Sequence, residues 1–224
     1  MTSAAVASSL VLSALRERLD EGLSTLRLDV DETKRAQLLQ YVALLDKWNK
    51  VYNLTAVREP ERMIGLHILD SLSVLPYLST SANLIDVGTG GGLPGVPLAA
   101  ARPDLQVTML DTIAKKTTFV RQAITELGLA NAQVVTGRVE KFVPAAKFEC
   151  VISRAFSELK EFVEGAGHLC ADDGRMLAMK GVYPHDEIAR LPSDFVVEEI
   201  ITLSVPAVEG QRHLVVIRKA PGSR

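Results

Sequence analysis

Two carboxylates and a run of glycines carry most of the chemistry this chain could do. Asp86 ends a short apolar run, and five glycines follow within the stretch Gly88-Thr89-Gly90-Gly91-Gly92-Leu93-Pro94-Gly95. Two patterns overlap there. Asp-x-Gly-x-Gly-x-Gly begins at Asp86, and Gly-x-Gly-x-x-Gly runs from Gly90 to Gly95. The second pattern alone suggests a dinucleotide with its pyrophosphate on a helix N-terminus. The first points elsewhere, because a carboxylate facing the pocket would repel a pyrophosphate and attract an ammonium or a sulfonium. S-adenosylmethionine carries both cations and is the ligand this pattern suits.

A nucleoside site needs a further carboxylate at the end of the next strand to accept the ribose hydroxyls. QVTMLD supplies Asp111, about 20 residues past the glycines. The following strand ends in VVTGRVE, which sets the Val139 backbone and Glu140 where an adenine edge would lie. Each also has a plainer reading: Asp111 as a helix cap, Glu140 as a solvated charge. Their order and spacing relative to Asp86 favour the adenosyl ligand. A nicotinamide-dependent oxidoreductase would use the same Gly90–Gly95 pattern with Asp111, but would need room for a substrate domain.

The elements that must position these residues follow from periodicity. Between Asp31 and Lys50, Leu38, Tyr41, Val42, Leu45 and Trp48 form one stripe at helical spacing, with acidic residues first and basic ones last. A second helical pattern starts at Glu59-Pro60-Glu61 and runs toward Pro76, so residues 1–80 are expected to form a helical extension packed on the main domain. From residue 81 the pattern changes. ANLIDV, QVTMLD, AQVVTG, FECVISR and RMLAMKG read as strands separated by crossovers, giving a parallel sheet covered on both faces. FVVEEIITLSV and HLVVIRK, joined by a short turn, complete residues 81–224 as an antiparallel pair. The expected fold is α/β: a Rossmann-like class I methyltransferase with a mostly parallel seven-stranded sheet and an antiparallel C-terminal strand.

Composition sets limits. A chain of 224 residues, 47% hydrophobic and 23% charged, is long enough for one full core. Its net charge of -2 excludes a wholly polycationic surface, so any nucleic-acid site has to be a local patch. Cys150 in FECVISRAF and Cys170 in the helix-like HLC are too few for a disulfide framework and lack zinc spacing, so both read as buried apolar side chains in a reducing compartment. The N-terminal apolar stretch is interrupted by Arg16, Glu17 and Arg18, which suits neither a signal peptide nor a membrane span. A cytoplasmic protein that is monomeric, with no metal, is expected.

The motifs DVGTGGGLPG, LD, RVE and ISRAF, with WNKVYNLTAV and HILDSL upstream and MKG downstream, resemble the bacterial glucose-inhibited division protein B family. The resemblance covers roughly residues 35–185. It implies an S-adenosylmethionine-dependent methyltransferase acting on N7 of a guanine in the 530 loop of 16S rRNA, with 16S rRNA or the small ribosomal subunit as partner. It also implies ligand contacts at Gly88, Leu93, Val139, Glu140 and Arg154, with Asp111 at the ribose. At Gly91 the sequence departs from the family, which often has proline or alanine there.

The residues present also restrict the acceptor. Ser153-Arg154-Ala155-Phe156 follows the fourth strand where an enzyme for exocyclic amines would show Asn or Asp, two prolines and an aromatic. Cys150 lies too early, inside the strand, to act as a pyrimidine-C5 nucleophile. Guanine N7 bears an in-plane lone pair and no proton, so transfer to it needs alignment and no general base. Arg154 could order the methionine end or donate to guanine O6, or could simply form a structural ion pair. His67 with Asp70 and Ser71 could close over the pocket, or be a hydrogen-bonded core residue, and Asn53 reads as a helix-ending turn residue. Lys115, Lys116, Arg121 and Lys180, with Lys34, Arg35, Lys47, Lys50, Arg58 and Arg62, could hold phosphates. Other readings are a methyltransferase for another RNA or a small molecule, and a non-catalytic RNA-binding protein.

Overall fold

The computed structural model describes residues 3–78 and 80–222; residues 1, 2, 79, 223 and 224, which belong to the terminal stretches and to the boundary near residue 80 read above, lie outside the described residues. Two long helices come first, α1 (Ser3–Thr25) and α2 (Glu32–Tyr52). Asp31 caps α2 by accepting from the Lys34 amide at 3.0 Å, and Asn53 ends it in the left-handed region at φ 50°. The predicted stripe is the buried face: Leu38, Tyr41, Val42 and Leu45 are fully covered, and Trp48 packs on Phe119.

The second helical segment is not regular. It opens as α3 (Pro60–Met63), widens into a π-helical stretch over Ile64–Leu69 and resumes as α4 (Asp70–Leu72). Stretches of this kind are common near functional sites. This one carries His67 and leads directly into Asp70.

Seven strands then form one sheet: β1 (Asn83–Val87), β2 (Gln106–Asp111), β3 (Ala132–Thr136), β4 (Phe148–Ser153), β5 (Cys170–Lys180), β6 (Phe195–Leu203) and β7 (Arg212–Lys219), in the order β3-β2-β1-β4-β5-β7-β6. The first five are mutually parallel, and β7 pairs antiparallel with both β5 and β6. Cys170 therefore begins a strand, contrary to its helix-like appearance in the sequence, and β5 starts five residues before the apolar run that announced it. Helices α5 (Gly95–Ala101), α6 (Ala114–Leu127), α7 (Leu159–Ala166) and α8 (His185–Ala189) are the crossovers, while only a short 3-10 turn at Val139–Lys141 links β3 to β4.

Strand alternation distributes the core over two faces. Leu84, Met109, Ile152, Leu214 and Val216 point into the cluster shared with α1, α2, α5 and α6. Ile85, Val87, Val151, Val215 and Ile217 point into a second cluster with Leu159, Phe162 and Val163 of α7. Both cysteines are buried and reduced, and burial pushes both thiols up, Cys170 to about 11. No helix among the described residues is long and apolar enough to cross a membrane.

Candidate active site

The strand order reverses at β1, between β2 and β4, so the loops after these three strands meet at the carboxyl edge of the sheet, where α/β folds bind ligands. Amides of Gly88 and Thr89 both donate to the Leu110 carbonyl, at 2.8 and 3.1 Å, which folds the glycine loop back over β2. Gly88 is required twice: its φ is +74°, and a Cβ there would stand 2.6 Å from the Ala155 Cβ. Gly95, at the start of α5, has no positive φ but is crowded, with Met109 Cγ 2.5 Å from where its Cβ would be. Gly91, the position that departs from the family, packs toward Leu45, and its carbonyl accepts from the buried Tyr41 hydroxyl at 2.6 Å. An anchor on α2 thus restrains the middle of the loop, between Gly90 and Gly92, which both have positive φ.

Asp86 has no solvent exposure and lines neither of the two cavities beside residues 153–156. Its Oδ2 accepts from the Thr89 hydroxyl at 2.6 Å and the Gly95 amide at 2.9 Å, tying the strand to both ends of the loop. Its Oδ1 is buried without a hydrogen-bond partner. Burial pushes the carboxyl up to about 6, against the pull of Thr89, Gly95 and the Arg154 charge. Asp111 is buried at the end of β2, where Oδ2 accepts from the Gly90 amide and Oδ1 from the Ile113 amide, both at 2.9 Å. It therefore joins the glycine loop to the turn that leads into α6, but it does not cap that helix, whose N-cap is Ile113 with no side-chain cap bond.

Two cavities flank the segment Ser153–Phe156. One, of about 290 Å³, is lined by Val87, Gly88, Leu110, Asp111, Ile113 and Lys116 on one side and Gly137, Val139, Ala155 and Phe156 on the other. The other, of about 240 Å³, is lined by Asp70, Arg154, Lys180, Gly181, Arg212 and His213, with Met179 and Leu203. The Ser153 hydroxyl holds the partition between them, donating to the Val87 carbonyl at 2.7 Å and accepting from the Ala155 amide at 3.0 Å.

In the second cavity the Asp70 carboxylate sits between two guanidiniums, Arg154 Nη1 at 3.2 Å and Arg212 Nε at 3.5 Å. Burial raises its pKa, and the two arginines oppose that rise. Arg212 was not singled out from the sequence; it lies 142 positions beyond Asp70, and only the antiparallel return of β7 brings it to this edge. His67 does not line the cavity. Its Nε2 is bonded to the Thr55 hydroxyl at 2.9 Å, its Nδ1 has no partner, and burial lowers it to about 4. Around it, WNKVYNLTAV folds on Asn49, which donates to the Val57 carbonyl at 3.0 Å and accepts from the Thr55 amide at 2.9 Å. Asn53 serves the same turn by accepting from Arg58 at 2.7 Å and lines neither cavity.

The remaining sequence-selected residues divide. Val139 and Lys116 line the first cavity, whereas Glu140 is exposed on the 3-10 turn beside it and Leu93, half-buried, packs on the core. Lys115 and Arg121 are exposed along α6. Lys180 is nearly buried: its ammonium donates to the Ser157 carbonyl at 2.6 Å and pairs with Glu187 at 2.7 Å. Lys34, Arg35, Lys50 and Arg62 are paired with Asp31, Asp20, Asp46 and Glu59. No group of three His, Cys, Asp or Glu side chains among the described residues could hold a metal ion.

The first cavity fits an adenosyl ligand on its own chemistry. Apolar walls from Leu110, Ile113, Val139 and Phe156 suit a purine, Asp111 supplies acceptors for a diol, and a Cβ at Gly88 would close the floor. The unpartnered Asp86 oxygen beneath the loop suits a cationic group above it. The same fold is found in the O-methyltransferase TomG from Streptomyces achromogenes, solved in complex with SAM, at a TM-score of 0.57 and 18% identity over 88% of this chain and 94% of that one. Fold and site define an S-adenosylmethionine-dependent methyltransferase. The family model for GidB, rRNA small subunit methyltransferase G, matches residues 34–215. "Ribosomal RNA small subunit methyltransferase G" of Chromobacterium violaceum is 55% identical over 88% of this chain and 94% of its own, and that of Nitrosospira multiformis 51% over 91% and 97%. The chain belongs to the rRNA small subunit methyltransferase G family.

Proposed function

We propose that the protein transfers a methyl group to N7 of a guanine in the 530 loop of 16S rRNA, presented as rRNA or as the small ribosomal subunit, and that it works as a cytoplasmic monomer. The observation that carries the acceptor chemistry is the state of Asp70. The carboxylate lining the second cavity is ion-paired with Arg154 and Arg212, whose charges oppose its taking up a proton. An acceptor with a ready lone pair and no proton to lose suits such a cavity.

When bound, S-adenosylmethionine supplies an electrophilic methyl group on sulfonium. The chain's own residues hold and align. Asp111 accepts from the ribose hydroxyls, and Val139 with Phe156 covers the adenine. Gly88 and Gly90 keep the loop low, and the Asp86 charge favours the cationic end. Leu93 and Glu140 shape the outer edge of the site. Arg154, on the partition between the two cavities, orders the methionine end and donates toward guanine O6. Alignment of this kind supplies up to about 7–11 kcal/mol in favourable intramolecular systems. Because guanine N7 is hidden in the deep groove of A-form RNA, the substrate is an exposed loop or a locally opened strand. Lys115, Lys116 and Arg121 extend the cationic side toward its phosphates, whereas Lys180 acts by fixing the Ser157 loop.

The test is transfer of labelled methyl from S-adenosylmethionine to small ribosomal subunits from cells lacking this protein, with mapping of the modified base. Label at N7 of one guanine in the 530 loop is expected. Label on another base or on ribosomal protein, or no label on subunits or naked 16S rRNA, overturns the reading.

A further inference from the structure

Beyond β5 the chain leaves the sheet at the rim of the second cavity. Gly181 lines that cavity, and the next two residues project outward, Val182 at 79% and Tyr183 at 38% exposure. Tyr183 is nevertheless held in place. Its ring centroid lies 4.2 Å from that of His185, tilted by 37°, and 5.4 Å from that of His213, edge-on at 83°. His213 is itself buried and lines the cavity, and its Nδ1 has no hydrogen-bond partner. The turn starts from a fixed point, since Lys180 is pinned by the Ser157 carbonyl and Glu187.

An aromatic ring packed on two imidazoles, partly open to solvent and joined through His213 to the cavity that holds Arg154 and Arg212, has the composition of a platform for single-stranded nucleic acid. Tyr183 itself does not line the cavity. Its ring stands outside the space an acceptor base would enter, where the neighbouring nucleotide would lie. We propose that Tyr183, braced by His185 and His213, stacks against the base adjoining the acceptor guanine; this rests on the rRNA reading above. Drawing the acceptor out of the strand leaves its neighbour without a stacking partner, and an aromatic ring at the rim replaces it without regard to base identity. Arg154 and Arg212 share the single Asp70 carboxylate, and the one positive charge they leave in excess favours a phosphate near the rim.

The experiment compares Tyr183→Ala, Tyr183→Leu and Tyr183→Phe with the wild type in methyl transfer to small subunits from cells lacking the protein. KM for the subunit, KM for S-adenosylmethionine and the thermal midpoint are all measured. Loss of the ring in the Ala and Leu variants is expected to raise the subunit KM on the order of tenfold, with Tyr183→Phe close to wild type. The S-adenosylmethionine KM and thermal midpoint should stay unchanged. An unaltered subunit KM in Tyr183→Ala and Tyr183→Leu overturns the proposal. So does a Phe variant as impaired as Ala, which would assign the effect to the hydroxyl, or a parallel rise in the S-adenosylmethionine KM, which would make the role structural. A wild-type enzyme that leaves subunits unlabelled fails the rRNA reading itself, and that result appears before any variant is compared.

Discussion

Asp86→Asn isolates the charge of the carboxylate beneath the glycine loop. In the wild type this carboxyl is fully buried and held at about 6, against an ordinary value of 3.8, with burial the leading cause. At 1.36 kcal/mol for each tenfold change, keeping it ionised at neutral pH opposes folding by about 3 kcal/mol. Because the folded value lies above the unfolded one, the stabilising contribution is complete below about pH 4 and is lost as pH rises through about 6. An amide of the same shape does not titrate. Its oxygen can still accept from Thr89 and Gly95, while its NH2 occupies the unpartnered Oδ1 position, a cost of about 1–3 kcal/mol that does not vary with pH. Chemical denaturation of both ligand-free proteins from pH 4 to 7 should show the variant gaining about 2–2.5 kcal/mol relative to wild type across that range. Calorimetric titration with S-adenosylmethionine should show the opposite trend, with the variant binding more weakly at pH 7 and the deficit shrinking toward pH 5. A stability difference that is flat with pH refutes the buried titration. Equal affinities at pH 7 refute the role of the charge in holding the cation.

Gly88→Ala places a side chain in the left-handed region, at about 1–2 kcal/mol, and drives its Cβ against Ala155 on the cavity wall. A lowered thermal midpoint and at least tenfold weaker S-adenosylmethionine binding are expected, and normal affinity would remove Gly88 from the site. Arg154→Ala takes away the nearer guanidinium from Asp70 and should keep the fold while losing most of the turnover; unchanged kcat at unchanged thermal stability removes Arg154 from the mechanism. Asn131→Ala serves as the structural counterpart, because its amide donates to the carbonyls of Ala99, Arg102 and Leu105 at 2.9–3.0 Å. Leaving these unpaired should cost about 2–3 kcal/mol and lower the midpoint by roughly 2–4 °C per kcal/mol, with kcat and both KM values intact at a temperature where the variant is folded.

What the sequence discloses about this site is what is local in the chain. The glycine spacing, Asp86, Asp111 and the strand-helix alternation all lie within short windows, and the strands and the loop between β1 and α5 fall where the pattern indicates. The direction of the Asp86 side chain was less accessible. A carboxylate at a strand end reads as facing the ligand, yet alternation along β1 turns it under the loop, where Thr89 and Gly95 claim it. Lys180 illustrates the same limit: as a lysine at a strand end it reads as a phosphate contact, but Glu187, carried by a five-residue helix, neutralises it. The fork of Arg154 and Arg212 on Asp70 joins three distant segments, and no spacing announces it. HILDSL drew attention to Asp70 through its neighbours, whereas nothing in HLVVIRK marked the arginine before it. The irregular helix over Ile64–Leu69 was also invisible, since its apolar residues fit an α-helical period well enough to hide the extra residue per turn.

The Tyr41 hydroxyl reaches across 50 residues of chain to hold the Gly91 carbonyl. The flexibility implied by four glycines in five positions is therefore regulated from outside the sheet that presents them. A chimaera that borrowed β1 to β7 from this enzyme and its first helices from elsewhere would preserve the ligand motif letter for letter and lose its tether. Conversely, a compound wedged between α2 and the loop would loosen cofactor binding without touching a single atom of the cofactor site. The shape of the glycine loop is in this sense set jointly by the strand it follows and by a helix about 50 residues earlier in the chain.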